Sequence, residues 1–444
     1  MSNFLSHISK ILPENEIEDF AKSCNLPVSK SIRFFSYAKD EKKKVGYEGD
    51  FYKLENKIDW AEDGFYLEKN SKPSKSLDYI RGDFYIQDAS SMYPVAKLKK
   101  IIPNNMDINY ILDYASSPGG KTTQLADYFP NSIVLANDVI KGRINAILTN
   151  LFRSKLKNVI LLNEDFQFYY DLPLKYDIIL ADLPCSGESL IYKKKTSIYD
   201  WSFNEVLFNA KRQKKISGNL LNLLNDNSYF IYSTCTFSKE ENEDIVDFLI
   251  ENKLNLIHNK RLWPHKDRCA GGYSAILKKE ETENNSKNVY HQKETNKKIE
   301  FVDNQTEKLI KMLSKNPYFN IEKIINSGYL YFKKNIIFLF PFPKILKPIF
   351  ENAISIGQAL AKLEKYGTIP LWGSIDYANE QYVLKFDKKT IYKLAEGSDL
   401  KELSMKFDNQ YLVAADDEAS LFLLKKTGNG IKNLIPNFMI VQSS

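Results

Sequence analysis

Ile108-Asn109-Tyr110-Ile111-Leu112-Asp113-Tyr114, running straight into Ala115-Ser116-Ser117-Pro118-Gly119-Gly120-Lys121, is the stretch from which the fold of this chain is read. The first seven residues are short, apolar and close on an acid, the pattern of a buried strand. Gly119 and Gly120 let the backbone turn sharply, and the residues from Lys121 to Phe129 predict a helix. Amides at such a helix start favour negative groups, and a side-chain-free turn lets a ligand approach closely. A glycine turn between strand and helix is common, so the tetrad Pro118-Gly119-Gly120-Lys121 is weak by itself. It lacks the GxGxxG of a dinucleotide site, and Gly119-Gly120-Lys121-Thr122 lacks the upstream glycine of a phosphate-wrapping loop.

The chain downstream gives the turn its meaning. Strand-like runs at Ile133–Ala136, Val159–Leu162, Asp177–Ala181 and Tyr229–Tyr232 alternate with helical spacing at Arg143–Leu156, Asn204–Leu224 and Glu240–Glu251. Such alternation predicts an α/β domain over 108–279, Rossmann-like, with a mostly parallel sheet and helices on both faces. Acids recur at the strand ends: Asp113, Asp138, Asp165 and Asp182. A solvated loop carboxylate explains any one of them. Four in succession, beside a glycine turn, point to a nucleotide-like cofactor whose ribose hydroxyls meet an acid at the second strand.

Two cysteines share that edge. Cys185 lies in Asp182-Leu183-Pro184-Cys185-Ser186-Gly187, and Cys235 in Tyr232-Ser233-Thr234-Cys235-Thr236. A cytosolic cysteine is most often a small buried hydrophobe, and Cys24 and Cys269 are read that way. Cys185 and Cys235 instead fall at the ends of the fourth and fifth strands, among polar turn residues, where a thiolate is available as a nucleophile.

The rest of the 444 residues sets bounds. The length calls for two or three domains. Residues 1–107 mix helix, strand and turn signals, including strand-like Ser31–Phe35 and a strand at Gly82–Asp88 leading into a helix at Ser90–Lys99. Residues 280–304 are polar and read as a linker. Residues 305–444 begin with a helix at Thr306–Leu313, continue with strands at Tyr329–Phe332, Ile336–Phe340 and Tyr411–Ala414, and suggest a small β-rich barrel. A hydrophobic fraction of 43% with 27% charged residues is that of a globular protein, and a net charge of +6 permits a nucleic-acid partner without arguing for one. No run of about 18 apolar residues and no apolar leader occur, so a cytoplasmic protein with no membrane contact is expected. Four cysteines without a CxxC pair predict neither a disulfide framework nor a metal site.

The set Asp113…Pro118-Gly119-Gly120-Lys121, Asp138, Asp165, Asp182-Leu183-Pro184-Cys185-Ser186-Gly187-Glu188 and Ser233-Thr234-Cys235-Thr236…Glu240-Glu241-Asn242-Glu243 resembles the Nol–Nop–Sun family of RNA cytosine-5 methyltransferases. Gly82–Ser90 is similar to the family's lead-in segment and Arg261-Leu262-Trp263-Pro264-His265 to its late motif. The C-terminal run Gly428–Pro436 resembles the end of the RNA-binding, PUA-like domain of the bacterial RsmF-like ribosomal-RNA branch. Ala115-Ser116-Ser117, Leu183 and Ser189 depart from the family's usual residues; Ser189 bears on the shape of the base pocket.

The resemblance implies S-adenosylmethionine as cofactor, RNA as partner and a monomer. It assigns attack on carbon 6 of cytosine to Cys235 and release of the adduct to Cys185. Asp182 would bond the cytosine edge or the cofactor amine. Residues Ala115, Ser116, Ser117, Pro118, Gly119, Gly120 and Lys121 would cradle the cofactor, Asp138 its ribose and Asp165 its adenine. Residues 1–107 and 305–444 would bind RNA, as would Lys193 and Arg143. Ribosomal RNA, 16S above all, is the expected substrate. Transfer RNA, or a non-catalytic RNA-binding assembly factor of the same fold, are the alternatives. A small-molecule methyltransferase would leave the flanking regions without a purpose.

Overall fold

The computed structural model describes residues 3–193, 197–281, 299–400, 408–428 and 430–440. Its centre is an eight-stranded sheet. In chain order the strands are β1 (Tyr110–Asp113), β2 (Ile133–Asn137), β3 (Val159–Leu162), β4 (Tyr176–Asp182), β5 (Leu224–Thr234), β6 (Asn255–Leu262), β7 (Gly272–Lys279) and β8 (Ser355–Ile356). Across the sheet they run β6-β7-β5-β4-β1-β2-β3-β8. The five strands read from the sequence, β1 to β5, are parallel. The other three, β6 and β7 on one side and β8 on the other, are antiparallel and were not expected. The outermost of them, Asn255–Leu262, is mostly polar and largely exposed, so it gives no apolar run to read.

Alternation along the strands builds two cores. Leu112, Leu135, Ile160, Ile179 and Phe230 point into one. Their neighbours Ile111, Val134, Leu161, Ile178 and Ile231 point into the other. Helices α1 (Ala89–Ile101), α2 (Gly120–Tyr128) and α3 (Ile144–Arg153) cover the second core; α4 (Phe203–Leu221) and α5 (Glu243–Glu251) cover the first. Because both faces are buried, these strands read as unbroken apolar runs, each such side chain contributing roughly 1.5–3 kcal/mol. From β1 the chain moves outward through β2 and β3, then crosses back to β4 on the other side of β1. The carboxyl ends of β1 and β4 therefore flank a topological switch point, where α/β sheets bind ligands.

The N-terminal region carries its own antiparallel five-stranded sheet, with Ser31–Phe34 between Ala61–Leu67 and Phe84–Ile86. Arg33, fully buried, ties it to α2: its Nε donates to Gln87 Oε1 at 3.0 Å and its Nη2 to Thr123 Oγ1 at 2.9 Å. Helix α1, inside the expected 1–107 region, packs on the central sheet through Val95 and Leu98.

Most of the polar 280–304 stretch lies outside the described residues; at its end Phe301–Asp303 pairs with Lys344–Leu346. The expected C-terminal strands form, but among the described residues they lie in two four-stranded sheets with no closed order, not in one small barrel. Glycine and proline punctuation marks where short strands stop, not which strands pair. The region is also not set apart: Ile356 adds β8 to the central sheet, and Tyr331, Phe338 and Phe340 share its first core.

Candidate active site

Strand ends β1, β4 and β5 and the start of α1 enclose a cavity of ≈ 660 Å³, lined by Ala115–Pro118, Gly120, Lys121, Asp113, Asp182, Cys185 and Cys235 among others. The turn that forms one wall is held from three sides. Ser116 N donates to Asn137 O at 2.7 Å, and Arg143 Nη2 donates to Ser117 O at 3.2 Å. Asn150 Nδ2 donates to Pro118 O at 2.8 Å. Gly119 caps α2 at φ +104°, a conformation that side chains disfavour.

Asp113 closes β1 beneath the turn. Thr122 Oγ1 donates to its Oδ2 at 2.6 Å, while Oδ1 is buried with no partner, as is Ser116 Oγ. Burial pushes the Asp113 carboxyl up to about 7. The Lys121 side chain turns away from the glycine turn to Asp182, Nζ to Oδ2 at 2.6 Å, and Ser233 Oγ donates to Asp182 Oδ1 at 2.6 Å. Burial works against the Lys121 charge, but Asp182 outweighs it and the ammonium is held above its ordinary value.

The pairing of β4 with β5 places Asp182 opposite Ser233 and so brings the two thiols together. Cys185 Sγ and Cys235 Sγ lie 3.3 Å apart as free cysteines. A hydrogen bond from Cys185 lowers the Cys235 thiol, against burial and the Asp182 charge; Lys193 and Lys121 add to the lowering. The same bond, with burial, holds the Cys185 thiol well above its ordinary value. One sulfur is poised as thiolate and the other as its donor.

Two buried glutamates cross-link the loops that carry these sulfurs. Glu188 accepts from Phe237 N at 2.6 Å, Ser238 N at 3.0 Å, Ser238 Oγ at 2.6 Å and Trp201 Nε1 at 2.9 Å. Glu241 accepts from Ser186 N and from Gln213 Nε2, both at 2.9 Å, and from Ser186 Oγ. Burial pushes the Glu241 carboxyl up to about 7.

The remaining expected residues lie around this centre. Asp138 is buried beside the turn; its Oδ1 accepts from Ile140 N at 2.9 Å and its Oδ2 lies 3.2 Å from Arg143 Nη1. Arg143, expected at RNA, thus faces Asp138 and the cavity wall. Asp165 caps the helix Phe166–Asp171 by accepting from Phe168 N. Neither Asp138 nor Asp165 is among the cavity's lining residues. Lys193 stands at the rim, 3.7 Å from Asp88 Oδ2. Cys269 is buried away from the sulfur pair, among Ala89, Met92 and Leu262.

Comparison with known proteins bears on the same residues. Residues 100–295 match the family model described as 16S rRNA methyltransferase RsmB/F, and residues 2–89 match that of the N-terminal domain of 16S rRNA methyltransferase RsmF. The chain belongs to the RsmB/F methyltransferase family. Ribosomal RNA small subunit methyltransferase F of Psychromonas ingrahamii is 35% identical over 254 residues, covering 55% of this chain and 52% of that protein. Its counterpart in Vibrio atlanticus is 32% identical over 260 residues, covering 56% and 53%. The matched part spans about half the length of these relatives. A solved methyltransferase homolog from Pyrococcus horikoshii shares the fold, with a TM-score of 0.54 and 24% identity over 62% of this chain and 93% of that one.

Within this RsmB/F chain, several residues that build the site escape a reading by motif. Glu188 and Glu241 stand in the quoted motifs without a role. Gln213 and Asn137 lie outside them; Asn137 joins the β1 and β3 ends, donating to Tyr114 O at 3.2 Å and Glu164 O at 3.0 Å. A polar residue inside an apolar strand, as in Ile133-Val134-Leu135-Ala136-Asn137, is the available signal.

Proposed function

We propose that this protein methylates carbon 5 of a cytosine in ribosomal RNA, most directly 16S ribosomal RNA, using S-adenosylmethionine. The observation that carries the reading is the pair of free thiols 3.3 Å apart at the floor of the cavity, one held toward thiolate and the other toward thiol. The Psychromonas and Vibrio relatives are by name small-subunit ribosomal RNA methyltransferases, which favours that substrate over transfer RNA.

The residues present suit the cofactor. The cavity wall is a glycine turn, and the unpartnered Asp113 Oδ1 and Ser116 Oγ offer acceptors to an amine or hydroxyl. Ala115 to Lys121 would hold the methionine and ribose part; Asp138 and Asp165, expected at the ribose and the adenine, do not line the cavity. When bound, S-adenosylmethionine supplies a methyl group carried on a sulfonium. Cys235 adds its thiolate to carbon 6 of the cytosine, which makes carbon 5 electron-rich enough to accept that methyl group. Asp182, fixed by Lys121 and Ser233, would accept a hydrogen bond from the cytosine 4-amino group and so orient the ring, while the Lys121 ammonium beside it offsets the negative charge that builds there. Once Cys235 is bonded to carbon, the neighbouring charge that kept Cys185 protonated is gone. Cys185 then gives up its own proton to solvent and, as thiolate, takes the carbon-5 proton; the carbon–sulfur bond breaks as the carbon 5–carbon 6 double bond re-forms, and Cys235 leaves as thiolate. An unpaired or flipped cytosine is required to enter the cavity. The flanking N- and C-terminal regions would hold the surrounding RNA. The protein would act in the cytoplasm as a monomer, and no helix among the described residues is long and apolar enough to cross a membrane.

Incubation with ribosomal RNA and S-adenosylmethionine, followed by a denaturing gel, tests this. Cys235→Ser should abolish transfer, and Cys185→Ala should accumulate an RNA–protein band that Cys185→Ala/Cys235→Ser lacks. Full methylation by Cys235→Ser would overturn the assignment of the nucleophile.

A further inference from the structure

A second hollow of ≈ 640 Å³ opens beside the cavity, and the two share Ile86, Gln87, Asp88 and Lys193. Its walls come from two N-terminal segments, 26–31 and 71–75, and from Tyr192–Lys193. Part of its lining is apolar: Leu26 is 57% exposed and Ile86 37% exposed, beside Pro27, Val28 and Pro73. Its ionised residues are Lys30, Lys72, Lys75, Lys193 and a single acid, Asp88. Asp88 is engaged, accepting from Ser90 N at 3.0 Å as the cap of α1 and lying 3.7 Å from Lys193 Nζ. Lys30 Nζ donates to Ser71 O at 2.6 Å, which holds the two N-terminal segments together with their positive charge on the groove.

A partly apolar groove flanked by lysines, continuous with a reaction cavity, is the chemistry of a single-stranded nucleic-acid track: bases lie on the apolar residues and phosphates meet the ammonium groups. We infer that this groove seats the single-stranded RNA immediately next to the target cytosine, with Lys72 and Lys75 on its phosphates and Leu26 and Ile86 under its bases. This rests on the reaction proposed above and specifies where its substrate runs. It also gives Lys193, at the junction, a double position: its charge faces both the thiol pair and the phosphate beside the flipped base.

The test uses the full-length protein and 16S ribosomal RNA from cells lacking this gene, both bare and in small subunits. Lys72→Glu/Lys75→Glu should raise KM for RNA about tenfold or more while kcat stays within about twofold, because ground-state and transition-state binding weaken alike. Its salt dependence should flatten by about 0.7 per lysine in log–log slope. Lys100→Glu, at the end of α1 outside the groove, should leave both unchanged. A photo-reactive benzophenone residue at exposed Ser74 should cross-link to nucleotides adjacent to the methylated cytosine, a readout independent of how well the charge-reversed variant folds. An unchanged KM, or cross-links only to distant RNA or to a ribosomal protein, overturns the groove while leaving the reaction standing. Failure of the wild-type protein to methylate either RNA is a distinct result, and it removes both.

Discussion

Replacing Cys185 by alanine perturbs the thiol pair at its simplest point. The 3.3 Å contact is the leading reason the Cys235 sulfur is held toward thiolate, ahead of the help from Lys193 and Lys121. A hydrogen bond to a charged acceptor contributes about 1.5–3 kcal/mol, and sulfur, a weak donor, belongs at the low end. About 1.5 kcal/mol is about one pKa unit, so the thiolate fraction well below the titration midpoint falls about tenfold. The assay is the rate of Cys235 alkylation by iodoacetamide against pH, followed by peptide mass mapping so that half-buried Cys24 does not interfere. In Cys185→Ala the midpoint should move upward by about one unit while the rate at the alkaline plateau is kept. A midpoint that stays put or moves down would refute the reasoning, since burial and Asp182 would then face no opposition from Cys185.

Glu188→Ala leaves two amides, a hydroxyl and an indole N–H inside the protein without their acceptor. The expected loss is about 3–5 kcal/mol, read as a urea midpoint lowered by about 1–2 M. Glu188→Gln, which keeps one acceptor oxygen, should lose less. Asp113→Asn tests the buried carboxyl at the β1 end. In the native protein this group keeps its proton up to about 7, whereas an unfolded chain gives it up near the ordinary aspartate value. The native state therefore binds the extra proton in between, and stability falls as pH rises from about 4 to about 7. Asp113→Asn should remove that part of the fall in a series of urea titrations across this range.

The parts legible in the sequence share one physical cause. β1 to β4 and the Tyr229–Tyr232 part of β5 are buried on both faces, so each appears as an apolar run with an acid or a cysteine at or just beyond its end, and five such ends in order reveal the edge that binds ligands. Lys121 reads as part of the glycine turn because it is contiguous with it; its partner Asp182 lies across the switch point, a distance that sequence order does not encode. Glu188 and Glu241 carry no role in the sequence reading, because nothing in their neighbours tells that amides from a loop about 50 residues away converge on them. Arg143 looks like a free cation at a helix start, and the acid it faces, Asp138, is fixed there by the turn at Ile140. The antiparallel edges and the shared C-terminal core depend on which strands pair, and Ile356 joining β3 is such a pairing over nearly two hundred residues.

Bisulfite sequencing of ribosomal and transfer RNA from cells with and without this gene tests the central claim most directly. The account expects one methylcytosine of 16S ribosomal RNA to be lost with the gene and restored by the wild-type protein but not by Cys235→Ser. Ribosomal and transfer RNA with every methylcytosine unchanged would contradict it and leave a protein that binds RNA without methylating it.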